Sequence, residues 1–62
     1  MMFRGKVSSI EGGKYRVTFP DRENIVSYPL IKAEHVGLLN IGDNVVVAFF
    51  AGSLDGIIIA RF

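Results

Sequence analysis

Ile41-Gly42-Asp43-Asn44-Val45-Val46-Val47-Ala48-Phe49-Phe50, then Ala51-Gly52-Ser53-Leu54-Asp55-Gly56, then Ile57-Ile58-Ile59-Ala60-Arg61-Phe62 is the stretch that decides the fold class. Two apolar runs flank a turn of Gly, Ser and Asp. Each run is short for a helix and rich in β-branched and aromatic residues, which is the pattern of a strand hairpin with apolar side chains on both faces. A small sheet with two apolar faces has to close into a barrel, pack on another chain, or do both.

Working outward toward the N-terminus, the same punctuation recurs. Lys14 to Phe19 alternates cleanly, with Tyr15, Val17 and Phe19 on the expected core face and Lys14, Arg16 and Thr18 on the wet one. Glu11-Gly12-Gly13-Lys14 before it reads as a tight hairpin, because Gly supplies the positive φ such turns need. The first strand spans about Phe3 to Ile10. Its Gly5 marks either a bend or close backbone approach, or a weak point in an edge strand.

Pro20 to Asn24 is a turn, and a third strand follows from about Ile25 to Ile31. Pro29 lacks an N–H, so that strand lies at an edge or ends in a bulge. Lys32 to Asn40 is expected to be a loop or helical turn plugging one end of a barrel. Val45 to Phe50 and about Gly56 to Arg61 complete the set. The expectation is one all-β domain over residues 1–62. It is a small five-stranded OB-like Greek-key barrel with a short helical turn between strands three and four. An SH3-like barrel has a similar strand count, and the connector after strand three favours the OB reading.

Bulk composition narrows the function classes. The chain has 62 residues, no Cys and one His. Disulfides and thiolate metal sites are therefore excluded, and a zinc site made by this chain alone is not expected. No metal or cofactor is implied. A domain this small buries only about 60% of its unfolded surface, so it needs either a second stabiliser or an unusually apolar core. Half its residues are hydrophobic. Net charge is +1, from seven Lys or Arg against six Asp or Glu, which is not the strongly basic footprint of a nucleic-acid binder. The N-terminus carries no signal-peptide core, and no apolar run reaches the ~20 residues of a membrane helix. Export and membrane insertion by this chain are therefore not expected.

Catalysis finds little support. His35 sits beside Glu34, and neighbours on an extended chain point apart. Asp21, Glu23, Asp43 and Asp55 all fall at turns, where carboxylates bond backbone N–H groups. Gly12-Gly13 and Gly52-Ser53-Leu54-Asp55-Gly56 lead into strands rather than helices, so they read as turns and not as phosphate cradles. The expectation is a non-enzymatic protein.

Two binding readings remain. OB barrels bind single-stranded nucleic acid through aromatic platforms flanked by basic residues, and Lys14, Arg16, Arg22 and Tyr28 are the candidates here. Tyr15 and Phe19 share a face with Val17 and belong to the core instead. The other reading is an assembly part. One face of the last hairpin lines the barrel and the other needs cover, since large exposed apolar patches mark interaction sites. The outward set is expected to be Val46, Phe50, Ile58 and Phe62. A one-residue slip in register exchanges the two faces.

Four signals occur in a fixed order. They are Gly5-Lys6-Val7; Lys14-Tyr15-Arg16-Val17-Thr18-Phe19-Pro20-Asp21-Arg22; Gly42-Asp43-Asn44-Val45-Val46-Val47; and Gly52-Ser53-Leu54-Asp55-Gly56-Ile57-Ile58-Ile59. Together they resemble the N-terminal OB domain of phage baseplate assembly protein V and the related tail-spike and type VI secretion spike proteins. The resemblance covers Gly5 to Ala60. Tyr28-Pro29-Leu30-Ile31 stands where the family usually has a Trp or a Leu-Pro pair. The resemblance implies a structural role in a phage or prophage tail, in the virion or in the bacterial cytoplasm during assembly. The implied partners are other copies of the chain around a three-fold axis and the tail-hub proteins. Family members continue into a trimeric β-helical needle. This sequence stops at Phe62, so the expectation is a baseplate or hub component, or a base for a separate tip, rather than the piercing element.

Overall fold

The computed structural model describes residues 2–51 and 55–62. The turn expected at Gly52-Ser53-Leu54 lies outside the described residues. Six strands make one sheet: β1 (Met2–Glu11), β2 (Lys14–Phe19), β3 (Ile25–Val26), β4 (Ile31–Lys32), β5 (Asn44–Phe49) and β6 (Gly56–Arg61), in the order β3-β2-β1-β5-β6-β4. Every pairing is antiparallel except β4 on β6, which is parallel. The sheet curls, and one stretch, residues 25–32, supplies both its end strands. With β3 and β4 taken as two halves of a broken third strand, the order reads 3-2-1-4-5-3. The curled sheet forms a half-barrel, in keeping with the small all-β barrel expected from the sequence.

The third strand breaks for a local reason. Ser27 donates its backbone N–H to the Val17 carbonyl at 2.8 Å, and Tyr15 and Leu30 exchange two backbone bonds, each 2.8 Å. Moving from Val17 to Tyr15 advances two positions on β2, while moving from Ser27 to Leu30 advances three on its partner. The extra residue makes a bulge, and Pro29, with no N–H to contribute to the ladder, sits inside it. Beyond the bulge the chain leaves β2 and reaches β6, where Ile31 lies opposite Ile57 and Lys32 opposite Ile58.

β1 serves two neighbours, pairing with β2 along its C-terminal half and with β5 along its N-terminal half, with a register shift between Val7 and Ser9. Gly5 allows this. A Cβ at that position would run into Val17 Cγ1 and lie 2.7 Å from the Thr18 carbonyl oxygen. The expected close backbone approach is therefore present, and any side chain there would collide with β2.

Val7, Tyr15, Val17, Phe19, Leu30, Val36, Leu39, Val45, Val47 and Ile58 form the core. Their spacing follows the period of two along β2 and β5. The connector contributes a 3-10 turn at Glu34–Val36, and Val36 and Leu39 both enter the core, so it acts as the expected plug. His35 projects from the same turn and holds the Ile59 carbonyl at 2.8 Å through Nε2. Ile59 is the residue skipped where the β5–β6 register shifts from Val46↔Ala60 to Val47↔Ile58. The His35 contact thus satisfies a carbonyl at a ladder irregularity and ties the plug to β6.

Candidate protein-contact surface

The four residues expected to form an outward face on the last hairpin do not form one. Ile58 is fully buried. The hairpin register sets Phe49 opposite Gly56 and therefore Val47 opposite Ile58. Directly opposed residues share a face of the sheet, so Ile58 joins Val47 in the core rather than Val46 outside. Val46 is half-buried, and Phe50 and Phe62 are exposed. Phe50 follows the C-terminal end of β5, whereas Phe62 donates its backbone N–H to the Asn44 carbonyl at the other end. At a rise of about 3.3 Å per residue the two anchor points are roughly 20 Å apart. They stand at opposite ends of β5 rather than side by side.

The apolar surface gathers elsewhere. Ile25, Val26 and Tyr28 are each at least half exposed, at 57%, 50% and 62%. With Ser27 and Phe49 they line a groove of about 310 Å³. Phe49 also packs toward the interior. Its ring lies 5.8 Å from those of both Phe3 and Phe19, and Phe3 and Phe19 are 6.0 Å apart. Tilted and edge-on contacts at these distances are favourable. The guanidinium of Arg22 lies 4.7 Å from the centroid of the Phe3 ring, a cation–π arrangement. The groove is thus lined on one side by the edge strand β3 and on the other by a ring of this aromatic cluster.

β3 explains why this surface exists. It pairs only with β2, through Phe19↔Ile25 and Thr18↔Val26, and forms one end of the sheet. Edge strands usually carry charge, Pro or a covering element to prevent pairing with other chains. β3 is two residues long and is followed by the Pro29 bulge, which limits pairing along its backbone, but both of its residues are β-branched, apolar and exposed. Sequence reasoning missed Ile25 and Val26 because it treated 25–31 as one strand. The legible signal was an apolar β-branched pair between a polar turn and a proline.

A second hollow, of about 200 Å³, is lined by Arg4, Gly5, Lys6, Pro20, Asp21, Asn44 and Phe62. Arg4 is held there by Asp21 at 3.1 Å. Phe62 lines this hollow, away from the groove beside β3.

Of the four candidate nucleic-acid residues, Lys14 and Arg16 share one face of β2 and Arg16 reaches the Ser27 carbonyl beside Tyr28, whereas Arg22 lies apart. Lys14 opens β2, while Arg22 lies beyond its far end against Phe3. Arg16 bonds the Glu11 carboxylate at 2.9 Å and the Ser27 carbonyl at 3.4 Å. Its charge is thus partly neutralised and its fork occupied. Tyr28 is the exposed ring nearest to it in the chain.

His35 is engaged with a backbone carbonyl. Among the described residues no group of three His, Asp or Glu lies close enough to hold a metal, and no helix is long and apolar enough to cross a membrane. No protein-family model matches the chain, and no curated protein is similar to it in sequence.

Proposed function

We propose that this chain is a non-enzymatic assembly module that acts through protein–protein contact, with the β3 edge and its groove as the principal contact surface. The observation that carries the reading is the concentration of exposed Ile25, Val26 and Tyr28 beside an apolar groove at the short end strand of the sheet. Burying a side chain such as Ile or Val contributes about 1.5–3 kcal/mol, so a few of them can hold a contact together. The partners proposed are other copies of the chain and, in the setting suggested by the four ordered sequence signals, the hub proteins of a phage or prophage tail. The proposed role is a baseplate or hub component, in the virion tail or in the bacterial cytoplasm while the tail is being built.

The test is the solution mass of the protein, with and without Ile25→Asp. The variant places a charge on the edge without entering the core. Loss of self-association with retained β-sheet signal supports the reading. A wild-type protein that remains a single chain at all concentrations removes its homo-oligomeric part.

Single-stranded nucleic-acid binding is the second reading. Exposed Tyr28 is the observation that favours it, because a free aromatic face is what base stacking requires. Its signature is affinity that falls steeply with salt and is lost in Tyr28→Ala.

A further inference from the structure

We draw no further inference here: the strongest candidate, the apolar groove of about 310 Å³ between the edge strand β3 and Phe49, belongs to the contact surface already proposed, and nothing in the structure shows what covers it.

Discussion

Val17 donates its backbone N–H to the hydroxyl of Ser27 at 3.0 Å, and that hydroxyl donates in turn to the Tyr28 carbonyl at 2.8 Å. Ser27 is the buried polar residue among the described core neighbours. Its side chain stands in for a ladder partner where the third strand turns away from β2. Ser27→Ala leaves the buried Val17 N–H without an acceptor, which costs about 1–3 kcal/mol. Urea denaturation should show a lower midpoint with an unchanged slope. A midpoint equal to wild type would mean that the hydroxyl is not needed at the bulge.

Gly5 offers a test of the barrel's curvature. Its missing side chain leaves room for Val17 Cγ1 and the Thr18 carbonyl. Gly5→Ala forces β1 and β2 apart and should destabilise by about 1–3 kcal/mol, the usual cost of overpacking a close-packed site. A thermal melt would record the loss. If Gly5→Ala melted at the wild-type temperature, the close approach of the two strands would be wrong.

Ile58→Asp separates core from surface. The side chain is fully buried opposite Val47. An unpaired carboxylate there costs several kcal/mol, comparable with the whole stability of a small domain. The variant should show no cooperative melt by circular dichroism. A folded Ile58→Asp chain would put this residue back on the surface.

His35 should matter modestly. Removing its ring in His35→Ala deletes the bond to the Ile59 carbonyl, a contact near the surface worth about 0.5–1.5 kcal/mol. Hydrogen exchange should quicken first around residues 34–36 and the β6 irregularity, ahead of β1 and β2. Unchanged exchange in that region would show that the plug is held by Val36 and Leu39 alone.

What the sequence made legible depends on how local the cause was. β2 was readable residue by residue because one of its faces is buried, so Tyr15, Val17 and Phe19 alternate with Arg16 and Thr18. Gly5 was half readable: a glycine inside a strand marks either a close approach or a weak edge, and only the position of Val17 and Thr18 across from it decides for the close approach. The break at Ser27–Leu30 was only half readable. Pro29 forbids a regular ladder, but the use of the Ser27 hydroxyl depends on Val17 lying across from it. The outward face of the last hairpin was unreadable for a different reason. Both of its faces are apolar, so alternation gives no direction, and Ile58 points inward because it pairs opposite the buried Val47. Pro29 marked the stretch from Ile25 as an edge or bulged strand, but that Ile25 and Val26 stand exposed follows from β3 breaking off after two residues at the end of the sheet.

Light scattering on a sizing column decides whether copies of the chain meet through the β3 edge. The wild-type mass should be a multiple of the 6.8 kDa chain, and Ile25→Asp should run as a single chain with an unaltered circular dichroism spectrum. A wild-type mass of one chain across the concentration range, or an Ile25→Asp variant that assembles as the wild type does, would rule out self-association through β3.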